Sequence, residues 1–156
     1  MRTVTVGVVG VVLAFAAIGA QTPDPTPALK ERVAAFQTAW NAHDGAAVAA
    51  IYAPDADQAM GDGAVVQGRP AIQKWWIDRF ATTPKGTAIS FAVRGVRSIT
   101  ADVAVINVVA TVTGPAPSGG GKSVTDDRGT WLLVRRGGQW LLAALRVQQA
   151  ERAPGR

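Results

Sequence analysis

The chain has 156 residues, 48% of them apolar and 17% charged, with a formal net charge of +5. That length suits one domain with a sizeable core, and the apolar share excludes a disordered body. Cysteine is absent and His43 is the only histidine, which excludes disulfides, thiol nucleophiles and a lipid-bearing N-terminal cysteine, and leaves a zinc site without its roughly four Cys or His ligands.

The first twenty residues stand apart. Arg2 carries the only early charge, Val4 to Ala20 is uncharged, and small residues close the run at Gly19-Ala20. This is the pattern of a secretory signal peptide over residues 1–20, cleaved near Ala20. The alternative is an uncleaved membrane anchor, but the run is short for the roughly 20 residues of a stable span. Cleavage removes Arg2 and leaves fifteen basic against eleven acidic residues, a charge of +4. The expected location is secreted or periplasmic, with no stable membrane span after cleavage. Most cations are scattered singly, without the aromatic interleaving of a nucleic-acid platform, so no nucleic-acid partner is expected.

Residues 21–27 contain Pro23, Pro25 and Pro27 and read as an extended linker. Thr26 is placed to cap a first helix and Pro27 to open it. Leu29, Val33, Phe36 and Trp40 then recur at helical spacing on one face. Asn41-Ala42-His43-Asp44 breaks that helix, with Asp44 as the N-cap of a second. Val48, Ile51 and Tyr52 form its apolar stripe and Pro54 ends it. Asp62-Gly63 marks a hairpin between Gln58-Ala59-Met60 and Ala64-Val65-Val66. Arg69-Pro70 opens a third helix carrying Ile72, Trp75, Trp76 and Phe80.

The pattern then changes to strands. Thr87 to Val93 alternates, and Gly95 marks a bulge. Ala101 to Thr113 is β-branched and apolar on both faces, as in a strand covered on both sides. Val124 to Arg136 and Gln139 to Gln149 are two further strands joined by a Gly137-Gly138 turn. The polar tail, residues 150–156, is expected to be disordered. Helices at the front and antiparallel strands at the back give an α+β fold.

Four motifs in order carry a family resemblance. Trp40-Asn41-Ala42-His43-Asp44 resembles a helix break of W-N-x-x-D type. Ile51-Tyr52-Ala53-Pro54-Asp55-Ala56 resembles an L-Y-A-x-D-A helix end. Gly68-Arg69-Pro70-Ala71-Ile72 resembles a G-x-x-A-I helix start, and Trp140 to Ala144 a closing strand. Together they span 28–149 and resemble the SnoaL-like branch of the nuclear transport factor 2-like superfamily, with the SgcJ/EcaC-type subgroup nearest. The resemblance implies a cone: three N-terminal helices packed on a curved, mostly antiparallel sheet, open at one end to a small apolar molecule. It also implies a homodimer formed across the sheet's outer face.

The ketosteroid isomerases of this fold use an aspartate base with a tyrosine and a protonated aspartic acid at the oxyanion. Matched through the helix break and the strand holding Trp131, the tyrosine position falls on Phe36, the base on Met60 and the acid on Gly129. None of these side chains moves a proton or makes those hydrogen bonds, which argues against that chemistry. Two carboxylates are catalytic candidates instead. Asp62 reads more readily as a turn residue before Gly63. Asp127 shares a strand face with Gly129 and Trp131, and beside Trp40, Trp76 and Trp131 it would act as a proton shuttle or polar anchor; its alternative is a surface ion pair with Arg128 or Arg146.

The candidate ligand-binding set is Trp40, Met60, Trp76, Asp127, Trp131 and Arg146. Arg146 and Gln148 alternate with Leu142 and Ala144, and on an unbroken strand they reach the cone interior. His43 reads as a capping or surface residue. Gly119-Gly120-Gly121-Lys122-Ser123 imitates the end of a phosphate-binding loop, but Ala116 stands where a glycine is required and no helix follows. No metal and no cofactor is expected. The favoured function is binding of a small hydrophobic or aromatic molecule. The alternatives are an acid-base isomerase, cyclase or hydrolase using Asp127 or Asp62, and an interaction subunit whose cone is filled by its own tryptophans.

Overall fold

A computed structural model of the chain describes residues 24–61, 63–115 and 122–149. The expected signal peptide, the start of the linker, Asp62, the triglycine stretch and the tail lie outside the described residues.

Helix α1 (Thr26–Asn41) takes in the last two residues assigned to the linker. Pro25 occupies the N-cap, so Thr26 is not the cap and Pro27 is the second helical residue. The Thr26 N–H donates to Asp24 Oδ1 at 3.0 Å, so an aspartate satisfies this first-turn amide. Leu29, Val33, Phe36 and Trp40 are all buried, as their spacing requires. The break turns at His43, whose φ is +53°. Asp44 caps α2 (Gly45–Ala50), accepting from the Ala47 N–H at 2.9 Å.

The second helix ends earlier than its apolar stripe predicts. Tyr52 opens strand β1 (Tyr52–Ala59) instead of completing a helical turn. The sheet overrides the local pattern: the Leu142 N–H donates to Ile51 O at 3.0 Å, and Tyr52 pairs with Leu142. Pro54 falls in the irregular stretch between the paired positions Tyr52 and Asp57, where its missing N–H costs no ladder bond. Strand β2 (Val65–Gln67) completes the expected hairpin, and α3 (Arg69–Thr82) follows directly. Arg69 anchors this junction by donating from its guanidinium to the Tyr52 carbonyl.

Four long strands complete the chain: β3 (Ala88–Thr100), β4 (Val103–Pro115), β5 (Lys122–Arg136) and β6 (Gln139–Gln149). Lys122 and Ser123 lie in β5, so the triglycine stretch leads into a strand, as expected. The six-stranded sheet runs β2-β1-β6-β5-β4-β3; β1 and β6 are parallel and all other neighbours antiparallel. The register of β3 shifts between Val93 and Gly95, the bulge anticipated at that glycine.

Helices cover one sheet face only. On β4 the inward residues Ala104, Ile106, Val108 and Ala110 are buried, while Val103, Val105 and Val109 opposite them are half-exposed. The expectation of cover on both sides is therefore not met within one chain. The outer edge of β3 is closed by α1. The Asn41 amide donates to Ile89 O at 3.0 Å and accepts from the Ile89 N–H at 2.8 Å, and Gln37 accepts from the Phe91 N–H at 2.8 Å. Two side chains thus stand in for a seventh strand and bend the sheet's end onto the helix.

Candidate ligand-binding site

The inner sheet face and α1 and α3 enclose one apolar cavity. Its floor is aromatic. Phe36 on α1 meets Trp131 on β5 at 4.9 Å between ring centroids and Trp76 on α3 at 5.7 Å. Phe91 on β3 meets Trp131 edge-on at 5.4 Å. Such tilted and edge-to-face contacts suit the ring quadrupoles and fix the rings against each other. Trp40, Trp76, Trp131 and Leu145 are buried, whereas Met60, Trp75 and Asp127 are half-exposed and form the rim with the exposed Arg79.

Five of the six candidate ligand-binding residues line this cavity: Trp40, Met60, Trp76, Asp127 and Trp131. Arg146 does not. It lies on the outer face and grips Asp57 with two hydrogen bonds of 3.0 and 2.8 Å. Gln148 is likewise outside, in a shallow depression with Arg94 and Arg128. The reason is a bulge. Leu133 pairs with Leu142 but Leu132 pairs with Ala144, so Ala143 is an extra residue that reverses the alternation of β6. Beyond it Leu145 and Val147 face inward in place of Ala144 and Arg146. Asp127, Gly129 and Trp131 share the inner face as the alternation of β5 requires. The second catalytic candidate, Asp62, lies outside the described residues.

Phe36, Met60 and Gly129, the positions matched to the isomerase tyrosine, base and acid, all line the same cavity. At Gly129 a Cβ would stand 2.9 Å from Val108 Cγ2 and 3.1 Å from Trp131 Nε1. The indole occupies the room that an acidic side chain would need. Arg79 is not among the sequence candidates. Arg79 follows Trp75 by one helical turn, so the spacing that placed Trp75 on this face also places Arg79 there.

Behind the cavity lies a buried polar cluster. Gln58 is fully buried, and its Oε1 accepts from Tyr52 Oη at 2.8 Å and from Trp76 Nε1 at 3.1 Å. The indole N–H is donor-only, which fixes the amide's orientation and leaves Gln58 Nε2 buried without a partner among the described residues. Burial pushes the Tyr52 phenol far above its usual pKa, so it stays protonated and serves as a donor. His43 stacks on Phe80 at 5.2 Å and meets Trp40 edge-on at 5.7 Å, a packing role in the helix break and away from the cavity lining.

The cavity volume is about 90 Å3. Pockets for drug-sized ligands span roughly 300–1,000 Å3, and an apolar cavity of about 150 Å3 takes one benzene ring. One ring therefore enters only if the rim yields, and Met60 is the flexible side chain there. Among the described residues no cluster of three metal-ligating side chains occurs, and no helix is long and apolar enough to cross a membrane.

The SnoaL-like domain family matches residues 33–143. Solved structures share the fold. A domain of unknown function with a cystatin-like fold from Nostoc punctiforme is 24% identical, with a TM-score of 0.70 over 80% of this chain and 76% of that one. A ketosteroid isomerase-like protein from Erwinia carotovora is 18% identical, with a TM-score of 0.71 over 83% and 99%. A type 2 hexachlorocyclohexane dehydrochlorinase is 14% identical, with a TM-score of 0.70 over 80% and 84%. No curated protein matches the chain.

Proposed function

Since the chain belongs to the SnoaL-like domain family, we propose that it is an exported small-molecule-binding protein whose cone takes a single-ring hydrophobic or aromatic molecule. The observation that carries this reading is the cavity itself: an aromatic floor, one open end, and a carboxylate and a guanidinium at the rim. The small volume favours a guest of no more than one ring, admitted by movement of the flexible Met60 at the rim. Export rests on the signal-peptide pattern of residues 1–20, and placement in the SgcJ/EcaC-type subgroup on the four motifs. The half-exposed valines of β4 support a homodimer across the outer face of the sheet.

Native mass spectrometry of protein purified from its own host tests all of this at once. The expected result is a chain beginning near Gln21, a dimer, and a bound small molecule released on denaturation. Protein that is empty and also fails to take up toluene or phenol would favour the third reading, a cone filled by its own side chains.

A second reading, acid-base catalysis, is favoured by one observation: Asp127 is the single carboxylate lining the cavity among the described residues. The ketosteroid isomerase-like and dehydrochlorinase neighbours share the fold, but Phe36, Met60 and Gly129 remove the isomerase's groups. An Asp127→Asn variant separates the readings. Retained binding with lost turnover of the host ligand selects the enzyme; unchanged ligand on release selects the binding protein.

A further inference from the structure

We propose that the cone selects single-ring carboxylates, with the ring on the aromatic floor and the carboxylate on Arg79. This rests on the small-molecule reading above and adds the ligand's chemical class. Arg79 is the one cation among the residues lining the cavity. Other guanidiniums have structural work: Arg69 holds the Tyr52 carbonyl, Arg135 pairs with Asp102, Arg136 with Asp55 and Arg146 with Asp57. The Arg79 side chain makes no hydrogen bond or ion pair among the described residues, and the guanidinium found over an indole is that of Arg135 on Trp140.

Geometry orients the guest. Trp75, one turn earlier on α3, is half-buried, and Trp76 beside it is buried. The helix therefore presents its rings inward and its guanidinium at the opening. The floor offers a ring edge and face contacts but no second cation. A planar guanidinium fork binds a carboxylate through two parallel hydrogen bonds, so an acidic head at the rim is held while the ring is desolvated.

The test compares sodium benzoate with benzamide, which has the same ring and a neutral head of similar size, by calorimetric titration into the wild type and Arg79→Gln. Benzoate is expected to bind the wild type on the order of tenfold more tightly, the discrimination of one charge-assisted contact. In Arg79→Gln the benzoate affinity falls to that of benzamide, and benzamide binding is unchanged. Equal affinity of the two probes for the wild type, or a benzoate preference that survives Arg79→Gln, overturns the carboxylate assignment and leaves the small-molecule reading standing. Binding of neither probe at millimolar concentration overturns this inference; the small-molecule reading falls with it only if toluene and phenol also fail to bind.

Discussion

The indole of Trp131 lies against the bare Cα of Gly129, close enough that a Cβ there would come within 3.1 Å of the indole nitrogen. Val108 closes the same space from β4 at 2.9 Å. Neither neighbour yields freely, since Trp131 is 1% and Val108 3% exposed. Gly129→Ala is expected to destabilise the fold by about 1–3 kcal/mol through overpacking. Urea denaturation followed by tryptophan fluorescence checks this, and an unchanged midpoint would contradict it. Gly129→Asp alone restores no isomerase acid, because Trp131 fills its room.

Gln58 is the acceptor for two buried donors at once. Gln58→Leu leaves the Tyr52 hydroxyl and the Trp76 indole N–H without a partner. The expected loss is about 2–4 kcal/mol, the desolvation of two unpaired groups. Because Trp76 is also a wall of the cavity, ring binding should weaken in the same variant at temperatures where it remains folded. A variant as stable as the wild type would show that the donors find other partners.

Tyr52 is the only tyrosine in the chain. Burial raises its folded pKa above the ordinary value of 10.0. A raised folded pKa gives stability that is whole below pH 10 and is lost as the pH rises above it, since only the unfolded chain ionises. Phenolate absorbance should therefore appear together with unfolding, not before it. A tyrosine that titrates near pH 10 in folded protein would refute the burial.

Asn41 is expected to matter beyond its exposure. Asn41→Ala removes both hydrogen bonds to the Ile89 backbone and should cost about 1–3 kcal/mol. It also opens the edge of β3, so faster aggregation than in a stability-matched variant is expected by light scattering.

Asp55 is held below its usual carboxyl pKa by the Arg136 hydrogen bonds. A depressed folded pKa gives stability present above pH 3.8 that fades as the pH falls through the lowered value. Asp55→Asn should therefore differ from the wild type at neutral pH and converge with it in acid. Both partners are solvent-exposed, so the difference is small and shrinks with added salt. Acid denaturation curves for the two proteins provide the check.

Much of this architecture was legible in the sequence because local chemistry agreed with the fold. Asp44 caps where a cap was needed, the Gly137-Gly138 turn has φ of +57° and +79°, and the alternation of β5 placed Asp127, Gly129 and Trp131 on one face. The reading failed where distant pairing decided. Tyr52 continues a helical stripe by spacing, yet its backbone is taken by Leu142 on the last strand. Strict alternation puts Arg146 inward, since no single residue signals an extra position in β6. The polarity of Arg146 and Gln148 beside the apolar Leu145 and Val147 was the available clue. Arg79 gives no signal of its own in the sequence, because a lone cation on a helix is not part of its apolar periodicity.

One consequence of the extra residue in β6 concerns where the last strand tolerates a change of length. Deleting Ala143 would remove only the extra position: Ala144 would stay opposite Leu132 and Leu145 opposite Trp131, so Leu145 and Val147 would keep their inward side and Arg146 its outward one. The bulge is thus the place in β6 where one residue can be lost without exchanging the greasy wall for a polar one.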